Sequence, residues 1–287
     1  MFNPTKSRLN TVLLATDLFE NSLLPLHCAI TIASACSAKL LIVHVLSPSE
    51  VDTMDSSSSD LGKRVAVIKE ELKTISHGLL AAKNINAEII VRYGNVRDVL
   101  FAVQQEYSAE LVIAGSSGMK TGHGKTLGSV AESILRGMPC GVIIVGPNVK
   151  RNLLESQTAS ILAPIAFDGE FSLTALPTAV SLATKFSAKL ILLHVVDSFH
   201  SGLGCSKQME DLQIQIHHQN DLVTEGLVLE GSVAKLILSS AKEKGADLIV
   251  MSVRQGDLED GTRLQGTVSD IIREAPCPVL SLPKPIA

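Results

Sequence analysis

The sequence predicts an α/β protein made of two tandem, doubly wound, five-stranded parallel sheets. Three observations carry the prediction: the chain repeats itself, each copy alternates apolar runs with segments of helical period, and 46% of the 287 residues are hydrophobic. That content can fill a large core, and with 19% charged residues the chain falls outside the disordered class.

The repeat is legible in three places. SAKLLIVHVL at 37–46 returns as SAKLILLHVV at 187–196, an offset of 150. AELVIAGS at 109–116 returns as ADLIVMSV at 246–253, an offset of 137. GSVAESILRGMPCGVIIV at 128–145 returns as GTVSDIIREAPCPVLSL at 266–282, an offset of about 138. The order is kept, so one supersecondary unit is used twice. The fall in offset by 13 places an insertion in the first copy, the serine-rich SPSEVDTMDSSSSD at 47–60, expected to be a mobile loop. The join falls near 147–158, PNVKRNLLESQT, and divides the chain into 1–149 and 150–287.

In the first copy, Thr11–Thr16 is a short apolar run suited to a buried strand, and Leu23–Ala35 has helical spacing. Leu40–Leu46 is again strand-like, and an amphipathic helical stretch follows at about 60–82. Glu88–Val91 (strand), Val96–Gln105 (helix), Leu111–Ala114 (strand), Ser129–Arg136 (helix) and Val142–Val145 (strand) complete the unit. Continuous apolar strands separated by helices mean a parallel sheet covered on both faces. Right-handed crossovers make it doubly wound, with ligands expected beyond the strands' carboxyl ends where strand order reverses.

Composition narrows the partners. The formal net charge is −4 with scattered Lys and Arg, against nucleic acid as a main partner. Trp is absent and aromatics are 3%, which leaves little for base stacking. No apolar run approaches the roughly 18 residues needed to span a bilayer, and MFNPTKSRLNTVLLATD lacks a signal-peptide cleavage pattern, so no membrane role is expected. Cys28, Cys36, Cys140, Cys205 and Cys277 are odd in number and form no C-x-x-C, as expected of reduced thiols in a cytoplasmic protein.

The fourth strand of the first copy ends in AGSSGMKTGHGKTLGSVAES, residues 114–133. Gly115, Gly118 and Gly128 stand at G-x2-G-x9-G, with Ser129 next. Glycines allow close approach of backbone N–H groups to a ligand, and a helix opening at Gly128-Ser129 favours an anion. Lys120, His123 and Lys125 could offset polyphosphate charge. Two plainer readings stand beside this one: Ser129-x-x-Glu132 has the form of a capping box, and glycine loops are often only turns. Gly124-Lys125-Thr126 imitates the end of a P-loop, but Met119 stands where that motif needs glycine.

This spacing, together with VLLATD at the first strand and LIVHV at the second, resembles the universal stress protein family over essentially the whole chain, as a tandem member. The resemblance implies an adenine nucleotide alpha hydrolase-like fold with strand order 3-2-1-4-5 in each half. It implies that Ala15 and Asp17 meet adenosine, that Val45 lies at the end of the strand lining the adenine pocket, and that Gly115, Gly118, Gly128, Ser129 and Val130 hold phosphate and ribose. Independent chemistry supports Asp17, because a carboxylate at a strand's carboxyl end accepts from ribose hydroxyls. The competing reading makes Asp17-x-x-Glu20 the cap of the first helix.

The second copy is altered. Ser252 and Gln255 replace the first two glycines, and Gly266-Thr267 comes one residue late. Arg254 adds bulk, and Asp257, Glu259 and Asp260 would repel a triphosphate. Ala166 stands in place of the aspartate if Pro164 aligns with Ala15, with Asp168 two residues late. His44 and His194 recur as structural histidines, Cys140 and Cys277 read as buried small hydrophobes, and His217-His218 as solvated. No metal-ligand spacing is present, and no base is evident for Ser116 or Ser117, so no catalytic residue is assigned.

The resemblance implies an ATP-binding regulatory or stress-response module with little or no hydrolysis, ATP (with or without magnesium) residing in the first half. A slow ATPase or a nucleotidyl- or phosphoryl-transfer enzyme at the same site is the alternative, and a scaffold with vestigial pockets a third. Two like units are expected to pack as a pseudo-twofold pair, the last strands, Gly141–Val145 and Pro278–Leu282, pairing with each other or with a second chain in a homodimer.

Overall fold

A computed structural model of the chain describes residues 9–18, 23–48, 58–116, 127–152, 159–167, 173–196, 203–253 and 267–283. The expected loop at 47–60 lies largely outside them. The first half runs β1 (Thr11–Ala15), α1 (Leu23–Cys36), β2 (Lys39–Leu46), α2 (Ser58–Lys83), β3 (Ala87–Tyr93), α3 (Val96–Tyr107), β4 (Leu111–Gly115), α4 (Ser129–Gly137) and β5 (Gly141–Val145). The second runs β6 (Ser160–Ile165), α5 (Leu176–Phe186), β7 (Lys189–Val196), α6 (Leu203–Asn220), β8 (Thr224–Glu230), α7 (Val233–Glu243), β9 (Leu248–Val253), α8 (Thr267–Glu274) and β10 (Val279–Pro283).

The strands stand in the order β3-β2-β1-β4-β5-β10-β9-β6-β7-β8. Each half therefore has the order 3-2-1-4-5 in its own numbering, and its neighbouring strands are parallel. The sequence predicts two sheets, whereas the structure joins them edge to edge into one ten-stranded sheet. The joint is antiparallel: Val142, Ile143 and Ile144 of β5 face Ser281, Leu280 and Val279 of β10. These strands are apolar on both sides, so their open edges gain most from pairing with each other.

Alternation along the strands divides the core into two layers. Val12, Leu14, Leu40, Ile42 and Ile113 pack on one face with Ile32 of α1 and Leu72 of α2. Leu13, Leu41, Val43, Val112 and Ile144 pack on the other with Leu100 of α3 and Ile134 of α4. Both layers continue into the second half without a break.

The repeat is sharper in the backbone than in the sequence. Left-handed residues recur at matching helix ends: Ser37 and Ser187 (φ 53° and 50°), Asn84 and Asp221 (both 51°), Ser108 and Gly245 (50° and 62°). Gly94 and Gly231 share φ near 143° and 141°, a conformation that side chains resist. At the amino edge, Glu110 Oε2 accepts the Thr11 N–H at 2.8 Å, and its counterpart Asp247 Oδ2 accepts the Ser160 N–H at 2.9 Å.

Ile144 is fully buried and lies opposite Val279. Ile144→Asp would leave a carboxylate without a partner between two sheet halves. The expected destabilisation is about 3–5 kcal/mol, measured by urea unfolding of the whole chain. A loss below about 1 kcal/mol would show that the joint bears no weight in the fold.

Candidate functional site

β1 lies between β2 and β4, and the chain leaves it towards β2 and β3 before returning to β4 and β5. The carboxyl ends of β1 and β4 therefore open a crevice where strand order reverses. Ala15 marks its floor, beside Val43 on one side and Ala114 on the other. Thr16 N–H extends the pairing by one residue, donating to Val43 O at 3.0 Å. His44, buried in β2, meets Thr16 O through Nδ1 at 2.9 Å. A carbonyl only accepts, so Nδ1 carries the hydrogen.

The chain then turns sharply. Leu18 is left-handed, φ 67°, and its N–H donates to Thr16 Oγ1 at 3.3 Å. Asp17, half-buried, stands on this turn at the sheet edge. Its reading as a helix cap does not hold. The residue after an N-cap must be helical, and Leu18 is not.

On the other side of the crevice, β4 ends at Gly115 and is followed by buried Ser116. Ser116 N–H donates to Val145 O at 3.0 Å, and Ser116 O accepts from Gly128 N–H at 2.8 Å. The second bond ties together the two ends of the glycine-rich loop and sets the start of α4 beside the end of β4. Gly128 is the N-cap, φ −65° and ψ 149°, with no side-chain cap. Ser129 therefore occupies the first helical position and is exposed, which corrects the capping-box reading. Glu132 pairs with Arg136 at 2.9 Å, one turn along the helix. α3 differs, since Asn95 Oδ1 accepts from Arg97 N–H at 3.0 Å and Asp98 N–H at 3.3 Å. The first turn of α4 thus presents donors, and the positive end of its dipole, without a capping side chain.

Of the predicted site residues, Ala15, Asp17, Gly115, Gly128, Ser129 and Val130 come together along this edge. Val45 reaches the same edge, but its side chain is packed in the core, so it offers backbone only. Gly118, Lys120, His123 and Lys125 lie outside the described residues. A β-carbon at Gly115 would meet Pro25 Cγ at 3.5 Å, an ordinary contact, so glycine there keeps space open between β4 and α1. Sequence reasoning missed the positioning roles of Thr16, which acts through its backbone and its hydroxyl, and of Ser116, which acts through its backbone. The recurrence of His44 and His194 was the one available signal for the first.

In the second half, Pro164 pairs with Leu193 as Ala15 pairs with Val43. Ala166 consequently occupies the place of Asp17. Phe167 takes the place of Leu18, its ring 4.8 Å from that of His194, whose Nδ1 lies 3.2 Å from Ile165 O. Ser252 corresponds to Gly115. Asp168, Arg254, Gln255, Asp257, Glu259, Asp260 and Gly266 fall outside the described residues.

No group of three or more His, Cys, Asp and Glu side chains able to hold a metal occurs among the described residues. No described helix is long and apolar enough to cross a membrane. Cys28 and Cys277 are buried, and burial pushes both thiols up. Cys140 is only half-buried, against expectation, with its thiol pushed up to about 12.

The model of the universal stress protein family matches residues 9–146 and again 159–283. A Staphylococcus aureus relative carrying the universal stress protein name is 27% identical over 138 residues, 47% of this chain and 82% of its own. The crystal structure of a universal stress protein from Archaeoglobus fulgidus superposes with TM-score 0.76 at 21% identity, over 96% of this chain and 99% of that one. A functionally unknown protein from Pseudomonas aeruginosa superposes with TM-score 0.68 at 15% identity, over 96% and 92%. At these identities the two structures speak for the fold.

His44→Phe should keep the ring's bulk but leave Thr16 O without its donor. The expected loss is about 1–3 kcal/mol in urea unfolding. An unchanged midpoint would mean that the bond does not hold the β1 turn.

Proposed function

Because this chain belongs to the universal stress protein family, we propose that its first half, 1–149, is an adenine-nucleotide-binding module that holds ATP, with or without magnesium, and turns it over slowly or not at all. One observation carries the reading: the Ser116–Gly128 hydrogen bond draws an uncapped helix start to the sheet edge that also bears Asp17. The triphosphate lies against the N–H groups of Ser129 and Val130, with Gly115, Gly118 and Gly128 permitting close approach. Asp17 accepts from the ribose hydroxyls, and the backbone at Ala15 and Val45 borders the base. No described residue of the crevice is assigned as a general base, which supports retention over hydrolysis.

The second half, 150–287, is proposed as a degenerate copy, because Ala166 and Ser252 stand at the positions of Asp17 and Gly115. The antiparallel pairing of equivalent strands β5 and β10 supports a pseudo-twofold arrangement of the halves, with no second chain needed at that edge. The five cysteines are free, which fits the reducing cytoplasm.

Chromatography of nucleotides released from the natively purified protein tests the reading, and ATP is the expected product. At a hundred times its dissociation constant ATP should stabilise the chain by about 2.7 kcal/mol. Asp17→Asn should weaken ATP about 10- to 100-fold while leaving the unliganded protein intact. Gly115→Ala should change stability by less than about 1 kcal/mol, yet fill space the ligand uses. Steady ADP production that Gly115→Ala abolishes would turn the assignment to an enzyme. Absence of nucleotide, with no thermal shift in millimolar ATP, would reject it.

A further inference from the structure

At the amino edge of the second half lies a cavity of about 630 Å³ between the starts of β6, β7 and β8 and the ends of α5 and α6. Its two sides differ in charge. On one, Lys189 Nζ and Lys244 Nζ converge on Glu225, at 2.5 Å and 2.7 Å from its two oxygens. Strand alternation places Lys189 with Ile191, and Glu225 with Leu227, on the face covered by α7. The triad sets two ammonium groups against one carboxylate, with the exposed Glu243 3.9 Å from Lys244, and pairing draws Glu225 down and Lys244 up. Each ammonium has three donors, so both retain capacity for a second acceptor.

The other side is the carboxyl ends of α5 and α6, where helix dipoles place partial negative charge. Asp221 adds a carboxylate there, and Asn220 Oδ1 is buried with no hydrogen-bond partner. An acceptor left unmatched in this position calls for a donor that no described residue supplies.

The first half shows that the arrangement is not a requirement of the fold. There Lys39 binds Glu88 at 2.6 Å, but the second partner is Tyr107, whose hydroxyl donates to Glu88 at 2.9 Å. Lys39 also lies 5.1 Å from the Tyr107 ring centre. Lys244 replaces Tyr107 at the same offset of 137, exchanging an aromatic lid for a second cation.

We propose that this cavity binds a small zwitterion of the free amino-acid class. Its carboxylate bridges Lys189 and Lys244 as Glu225 does, and its ammonium group faces Asp221 and the ends of α5 and α6. The site lies on the same rim of the sheet as the nucleotide crevice, separated from it by β5, β10 and β9, and does not rest on that assignment.

Calorimetry and thermal shift on the whole chain test it, with glycine, L-alanine and L-serine as probes against acetate, inorganic phosphate and ethylamine. The amino acids should bind at least about tenfold more tightly than either half-charge alone. Lys244→Tyr, which installs the first half's residue, should weaken them at least about tenfold and leave the response to ATP unchanged. Asp221→Asn keeps the left-handed turn, which asparagine tolerates, and should weaken amino acids but not acetate. Equal binding of acetate or phosphate would reduce the cavity to a plain anion site and overturn the proposal. So would the absence of any shift at about 10 mM amino acid, or an affinity indifferent to both substitutions.

Discussion

The short ladder between β5 and β10 is antiparallel where the other strand pairs are parallel. It is the contact on which the architecture turns. A parallel five-stranded unit buries both faces under helices but leaves its last strand with unmatched N–H and C=O groups. An apolar strand of this kind cannot remain at an edge without inviting association. Two copies in one chain solve the problem internally, and the two core layers then run through both halves as continuous bodies. The outer strands of the sheet become β3 and β8, far from the joint.

With the sheet so arranged, chemistry is decided at the ends of its strands. At the carboxyl rim of the first half, the decisive contacts are between backbone groups. Thr16 continues β1 past its last paired residue, Leu18 reverses the chain, and Ser116 holds Gly128. They bring a carboxylate, a glycine and a helix start together from segments 98 to 111 residues apart in sequence, Asp17 to Gly115 and Gly128. The same scaffold in the second half carries alanine, phenylalanine and serine at the matching points. The matching strand end there presents an apolar and aromatic surface.

At the amino rim the divergence runs the other way. Both halves keep a lysine–glutamate pair between their second and third strands, and both keep a carboxylate that receives the first N–H of the leading strand. Those groups serve the fold, because they satisfy chain ends that would otherwise lack partners. Where the first half closes the corner with Tyr107, the second opens it with Lys244. Duplication thus allowed one rim of each copy to drift while the shared core was maintained.

The succession of strands and helices, the repeat and the insertion after β2 were all legible in the sequence, because they depend on periodicity and on apolar runs that local physics dictates. The glycine spacing and Asp17 were legible as a candidate site for the same reason: residue type there carries the chemistry. The capping role given to Ser129 and the burial given to Cys140 were misplaced, since a one-residue shift of a helix start and the depth of a loop depend on neighbours distant in sequence. Only the tertiary structure decided that the two sheets are one, that Ala166 stands where Asp17 does, and that Lys189, Glu225 and Lys244 meet at a cavity facing two helix ends. Each of these rests on strand register and edge pairing, which are long-range choices made by packing and by the need to pair backbone groups, and which no single segment of the sequence carries.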